Sequence, residues 1–240
     1  MIINMFNVSV FSANTNHDIR SGHPDRIWNI SVLQEFKKLQ SDNCQWKEDA
    51  RMVFPYKTIQ CTAGDHLASE FTASETQHHV YRGFWSEALW NKHRAGVIVL
   101  HQALLARLDA ARPTHGDSEA VDVAELRYRA TLAIQVMIHD IFASIPFSLG
   151  DILSYKKTSL PKSVGGYFLV WTLMVILRCP VASEDQKNLA RAALVRIGRQ
   201  FGLCYAVKSA QYYMRTAENA FLADSKMDIA HGCFNPDILA

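Results

Sequence analysis

From residue 83 to residue 108 no proline interrupts a run in which Val97, Leu100, Leu104 and Leu108 recur at three and four. That is the period of an α-helix with one apolar face, not of a strand. The same period returns over 121–144, through Leu126, Ala130, Ala133, Ile134, Met137 and Ile141. Two long helices of this kind cannot bury their apolar faces alone, so further helices must pack on them. Pro113 and Gly116 punctuate the loop between them, which is the best candidate linker. There is no convincing alternating strand series and no internal repeat. The expected fold is all-α, a single helical domain of about six or seven helices.

The remaining segments fit that class unevenly. The most apolar run, "VGGYFLVWTLMVIL" at 164–177, is shorter than the roughly 20 residues a bilayer span needs, so it predicts a helix buried on most sides. Ser183 and Gln186 have capping-box spacing, and Glu184 and Asp185 suit a helix N-terminus. The helix they open runs to 201 with Leu189, Ala193, Ile197 and Phe201 inward, and Gly202 ends or bends it. A last helix is expected over 203–222. Toward the N-terminus, Ile27, Ile30, Leu33 and Phe36 predict a short amphipathic helix over 26–39. Residues 40–70 lack a clear period, with "MVFPYKTI" a short extended piece broken by Pro55, and 1–25 read as a loose lead-in. Ser144-Ile145-Pro146 should stop the 121–144 helix, because a residue preceding proline disfavours the α region. The expected organisation is an irregular or partly helical segment 1–82, a helical domain 83–222 and a mobile tail 223–240.

Composition excludes several functions. The chain is 49% hydrophobic and 20% charged with a net charge of +2, ordinary for a folded protein and lacking the dense basic balance of a duplex-binding domain. Five cysteines at 44, 61, 179, 204 and 233 are widely spaced, with no C-x-x-C. A disulfide framework or structural zinc site is therefore not expected, and the cysteines read as buried or partly buried free thiols in a reducing compartment. The N-terminus has no basic leader, so the expected location is nuclear or cytoplasmic, not secreted. No membrane association is expected.

No acyl-hydrolase elbow, dinucleotide or phosphate loop, or zincin helix occurs. Ser154–Lys157 and Ser159–Lys162 have Ser-x-x-Lys spacing but sit in a polar connector without the partner motifs of that chemistry. Ten histidines are more than usual. The adjacent His78 and His79 would diverge on a helix, His93 and His101 can line one broad helix face, and His231-Gly-Cys233 would need metal partners from elsewhere. His139 and Asp140 are adjacent too and cannot form a ready-made dyad on a helix. No metal and no cofactor is expected. Trp90, Tyr167 and Trp171 lie on apolar helices and could wall a greasy pocket.

Four segments carry a resemblance. "WNKHRAGVIVLHQALL" (90–105) resembles the middle of the regulatory domain of fungal zinc-cluster transcription factors, where a Trp-Asn…Arg segment leads into a Leu-His pair. "IHDIFASIPFSLGD" (138–151) is similar to that family's Asp-Ile-Cys-Ala-Ser-Val-Pro segment, with Phe142 where the family often has Cys. "GGYFLVWTL" (165–173) resembles its Gly-Tyr…Leu-Trp-Pro-Leu helix, with Thr172 in place of Pro, and "RIGRQFGLCYAVKSA" (196–210) its closing Ile-Gly…Gly-Ile…Ala segment. The four keep their order and spacing across 84–212. The family's six-cysteine DNA-reading module is missing from the sequence.

The resemblance implies a helical regulatory domain of fungal origin, without DNA binding by this chain. The first expectation is a transcription-factor-like regulator of a fungal, secondary-metabolite pathway, acting through a protein partner or a small apolar effector, with a homodimer as one form. The rival expectation is a repurposed biosynthetic enzyme, a cyclase, isomerase or dehydratase for a polyketide or terpenoid intermediate. Its acid–base groups would be His93, His101, His139 and Asp140, with His78 and His79 as further candidates, in an apolar helical pocket walled by Tyr167 and Trp171. A third expectation is a truncated product whose uncovered apolar face would aggregate or dimerise.

Overall fold

The computed structural model describes residues 2–22, 30–60, 77–111, 117–152 and 163–213. The elements in chain order are α1 (Ile2–Ser21), α2 (Ile30–Val53), β1 (Tyr56–Gln60), β2 (Gln77–Tyr81), α3 (Phe84–Ala110), α4 (Asp117–Ser148), α5 (Ser163–Leu177) and α6 (Glu184–Phe201). A seventh helix, α7, covers 204–213. The fold is all-α, and one continuous core draws buried residues from all seven helices, from Val8 and Phe11 of α1 to Ala206 and Ala210 of α7. The chain is therefore built as one helical domain.

Helix α3 is the hub: it touches α1, α2, α4, α5 and β2. Leu100, Leu104 and Leu108 are buried on the expected face, and Val97 packs against the core from its edge. Along α4, Ala130, Ile134, Met137 and Ile141 form the matching inner line. The stretch Val123–Ser148 is long and apolar enough to cross a membrane by length and composition, but most of it is buried inside this fold.

Four differences from the sequence expectation stand out. First, residues 2–21 are a helix, not a loose lead-in, held by Val8, Phe11 and Thr15, which are buried at spacings of three and four. Second, α2 continues through 40–53, and its inner line is Val32, Phe36, Leu39, Asn43 and Ala50; Phe36 is buried as expected and Leu33 half-buried, but Ile30 is exposed. The line passes through a polar residue because Asn43 turns its amide back onto the Leu39 carbonyl, at 2.9 Å. Third, a two-stranded antiparallel hairpin pairs Tyr56 with Tyr81 and Thr58 with His79. Tyr56, Thr58, His79 and Tyr81 therefore share one face of it. The described residues of the 1–82 segment are thus two helices and the two strands.

The fourth difference concerns the end of α4. Pro146 lies inside the helix, which runs on to Ser148. The helix instead stops at Gly150, whose φ of 78° is left-handed. Gly150 N–H donates to the Phe147 carbonyl at 3.1 Å and Asp151 N–H to the Pro146 carbonyl at 2.8 Å. That pair of bonds is the Schellman closure, which satisfies the last carbonyls and takes glycine at the left-handed position. Gly165 of α5 meets this corner: a Cβ there would strike the Ser148 carbonyl oxygen and lie 2.8 Å from the Phe84 ring.

On α6 the capping box is formed: Gln186 N–H donates to Ser183 Oγ and Ser183 N–H to Gln186 Oε1, and Gly202 is left-handed as the sequence suggests. Cys179 is buried, but Cys44 and Cys204 are exposed, contrary to the expectation for free thiols. Both Ser-x-x-Lys matches, His231-Gly-Cys233 and the 223–240 tail lie outside the described residues.

Candidate functional site

Where α3 meets α4 and the hairpin, the interior is filled by hydrogen-bonded side chains. Glu87, Asn91 and Arg94 follow each other at spacings of four and three on α3, so they form one buried polar stripe facing α4 and the hairpin. Ser144 and Ser148 answer them from α4, one turn apart. Asn91 Nδ2 donates to Glu87 Oε1 and, at 2.8 Å, to Ser144 Oγ, while Asn91 Oδ1 accepts from Arg94 at 2.8 Å. Ser148 Oγ donates to Glu87 Oε1 at 2.8 Å. Every hydrogen and the oxygen of the Asn91 amide are used, which fixes its orientation.

Glu87 is fully buried, and burial pushes its carboxyl up to about 8, against the opposing pull of Ser148, Asn91 and Arg94. It is therefore a neutral acid at pH 7. Its Oε2 has no partner among the described residues. Asn91 stands between Glu87 and Arg94, bonded to both, so the two groups of opposite potential charge do not pair directly.

Arg94 joins this stripe to the hairpin. Its guanidinium donates to the Tyr81 hydroxyl at 2.6 Å and reaches His79 Nδ1 at 3.1 Å. It also lies 5.3 Å from the Tyr56 ring centre and 5.7 Å from that of Trp90. Asp140 Oδ2 is 3.6 Å from Arg94 Nε. The His79 ring is held neutral, its pKa lowered to about 3 by burial first and then by Arg94. Neutral His79 accepts from Arg94 on Nδ1, and the ring also bonds the backbone of Asp140. Burial pushes the Tyr81 phenol well above its usual range, so it stays protonated.

The individual candidates now have places. His93 stacks on Trp46 of α2, with ring centres 4.3 Å apart, and its pKa is lowered to about 3 by burial, then by Arg94 and Lys47. His101 packs edge-on against Phe36 of α2, and its Nδ1 bonds the Val97 carbonyl at 2.8 Å. Both histidines thus face α2 from one side of α3, in packing roles. His139 is exposed, while its neighbour Asp140 turns inward to Arg94. His78 is buried on the opposite hairpin face from His79, and neither ring nitrogen has a partner among the described residues. Trp90, expected as a pocket wall, is buried and donates Nε1–H to the Phe54 carbonyl at 2.8 Å. It clamps α2 to α3 and lines no groove among those described here.

Tyr167 and Trp171 are the expected wall residues that do meet open space. They line a groove of about 400 Å³ on the outer side of α5, with Lys92 of α3, Phe168, Met174, and Leu203 and Tyr205 of the α6–α7 corner. Tyr167, Trp171 and Tyr205 are exposed, and Trp85 extends the aromatic surface through its 5.1 Å ring contact with Phe168. A second groove of about 250 Å³ lies between Gln102, Asp109, Arg127 and Val181. Neither groove is lined by His78, His79, His93, His101, His139 or Asp140. Among the described residues no three His, Cys, Asp or Glu side chains converge on a metal-sized site.

Glu87, Tyr81 and Ser148 are the cluster residues that the motif search passes over. For Glu87 and Ser148 the signal was present as polar residues at helical spacing inside otherwise apolar helices, whereas Tyr81 lies on a strand and carries no such signal. No family model, curated protein or solved structure matches the chain.

Proposed function

We propose that this chain is a transcription-factor-like regulatory domain that works without its own DNA reader. It acts through a small apolar effector or a partner held at the aromatic groove. The observation that carries the reading joins sequence to structure. The Trp-Asn…Arg segment and the Asp…Ser…Pro segment, two of the four that resemble the fungal regulatory domain, touch through the very residues that define them. Asn91 bonds Ser144, and Arg94 faces Asp140. In this reading those residues shape a scaffold and the responsive surface is the groove beside Tyr167 and Trp171. The fungal, secondary-metabolite setting belongs to the same proposal and rests on the resemblance.

The test is a tethering experiment. Fused to a heterologous DNA-binding domain in a filamentous fungus, the chain is expected to change reporter transcription several-fold over the DNA-binding domain alone. Trp171→Ala should reduce that change while leaving fusion abundance intact. A fusion as silent as the bare DNA-binding domain, or purified chain that by itself converts a pathway intermediate, overturns the proposal.

A further inference from the structure

Resting on that reading, the groove's lining narrows what it can hold. Its described residues are apolar or aromatic except for the single cation Lys92, and no acidic residue lines it among them. The Lys92 ammonium sits 5.9 Å from the centre of the Phe168 ring, at the α3 edge of the groove. Tyr167 packs edge-on against Phe168, at 5.8 Å, and the Tyr205 hydroxyl touches Met174 sulfur at 3.7 Å across the groove. The surface is therefore a set of ring faces and a thioether with one positive charge at the rim.

Size separates a small molecule from a protein segment. A helix with side chains is about 10–12 Å across with a pitch of about 5.4 Å, so one turn alone would fill about 400 Å³. A docking helix needs several turns of contact, which this groove does not offer. Small-molecule sites begin at about 300 Å³. Charge then selects among small molecules: a cation meets Lys92 with ring faces but no acidic side chain among the described lining to offset it, while an anion gains from it.

We infer that the groove binds a small amphiphile with a flat or hydrocarbon body and one anionic group, the body lying on Trp171, Tyr167 and Tyr205 and the anion directed to Lys92. Aromatic carboxylates and sulfonates and acidic phenols share this chemistry.

The test uses two probes of nearly equal shape, anilinonaphthalene sulfonate and its uncharged counterpart N-phenylnaphthylamine, titrated by fluorescence into the full chain. The sulfonate should bind more tightly than the neutral amine. Lys92→Gln should weaken the sulfonate about 2- to 5-fold, the scale of one exposed charge contact, and leave the amine unchanged. Trp171→Ala and Tyr205→Ala should weaken both probes; these side chains are exposed, and circular dichroism checks that the variants stay folded. If both probes need Trp171 but Lys92→Gln leaves the sulfonate unchanged, the anion preference is wrong and the groove reading survives. If neither Trp171→Ala nor Tyr205→Ala affects binding, the groove is not the site and both fall.

Discussion

Helix α3 carries two buried arginines, Arg94 in its N-terminal half and Arg107 in its last turn, and they are held in different ways. Arg107 reaches α1 through bonds that include a carboxylate: Nη2 lies 3.0 Å from Asp18 Oδ2 and Nε donates to Thr15 Oγ1 at 2.8 Å. Arg94 lies about 20 Å away along the axis. Its short bonds go to neutral groups, Tyr81, Asn91 and His79, and its carboxylate Asp140 is farther, at 3.6 Å. The first arrangement tethers one helix by charge. The second spreads a buried charge over neutral acceptors and ring faces, and binds a hairpin to α3 and α4 together. The same side chain on the same helix therefore supports two kinds of junction, set by whether the partner element is a helix edge near water or a closed hairpin.

Removing each guanidinium is the strongest way to break that contrast. Arg94→Met takes the Arg94 donor from the Tyr81 hydroxyl, the Asn91 oxygen and His79 Nδ1 in a closed interior, leaving only the longer contacts of Ser144 Oγ to Asn91 Oδ1, at 3.2 Å, and of the Tyr81 hydroxyl to His79 Nδ1, at 3.4 Å. It should cost about 3–5 kcal/mol. Arg107→Met leaves Asp18, which is partly exposed and can turn to water, and Thr15, which keeps its bond to the Phe11 carbonyl. It should cost about 1–3 kcal/mol. Urea unfolding measures both. Hydrogen exchange should locate the loss in β2 for the first variant and in α1 for the second. Equal costs, or loss in the same element, would mean that the two junctions do not differ in kind.

How far these junctions were legible in the sequence differs between them. The long period of α3, the inner line of α4, the Ser183 cap and the Gly202 stop were all visible, because each is a local pattern written on one segment. The Arg94 stripe was visible as polar residues at core spacing, yet its partners came from β2 and α4, and no local rule names them. The hairpin strands "YKTIQ" and "QHHVY" are five residues each and do not alternate cleanly, so their pairing shows only in three dimensions. Helix α1 was missed because its buried face is sparse: Val8, Phe11 and Thr15, with Thr15 serving Arg107. Pro146 misled in the other direction. The helix tolerates it for one more turn, and the glycine after it makes the stop.

Titration separates the two junctions of α3 next, because the groups with large shifts lie around Arg94. Folding raises the Glu87 carboxyl from its ordinary 4.5 to about 8. The folded chain thus holds a proton that the unfolded chain releases between those values. Glu87's contribution is fully favourable below about pH 4.5 and is lost as pH rises through 8. Glu87→Gln removes that loss while keeping an acceptor for Asn91 and Ser148. It should stabilise the chain by about 1–3 kcal/mol at pH 8, with the gain shrinking to nothing near pH 4.5. A variant that destabilises at pH 8 would show that Glu87 is charged in place and paired.

His93 gives the mirror image. Its folded pKa of about 3 against an ordinary 6.5 means that the unfolded chain takes up a proton first as pH falls. The stability it contributes is full above pH 6.5 and is lost as pH drops toward 3. His93→Phe keeps a ring against Trp46 and cannot titrate. It should match the parent within about 1 kcal/mol at pH 8 and exceed it by about 1–3 kcal/mol at pH 4.5. Thermal unfolding across pH should therefore show the two variants' gains crossing. If the His93→Phe gain does not change with pH, His93 takes up its proton alike in the folded and unfolded chain, and its burial against Trp46 does not hold it neutral.

The smallest effects test the contrast most directly, because they remove the carboxylates and leave the arginines. Asp18→Asn keeps the shape of the α1 contact but strips the charge from a 3.0 Å bond. It should cost about 1 kcal/mol, falling in high salt, because Asp18 is 18% exposed. Asp140→Asn acts on a pair at 3.6 Å whose carboxylate is 27% exposed. If Arg94 is held by Tyr81, Asn91, His79 and the faces of Tyr56 and Trp90, the loss should be less than about 0.5 kcal/mol. The order matters more than either value. Arg94→Met should far exceed Arg107→Met, yet Asp18→Asn should exceed Asp140→Asn. A buried guanidinium that depended on Asp140 would reverse the second inequality, since stripping its one anion would leave an uncompensated charge inside the fold at a cost of several kcal/mol. The crossed ranking thus separates an arginine held by charge from one held by neutral hydrogen bonds.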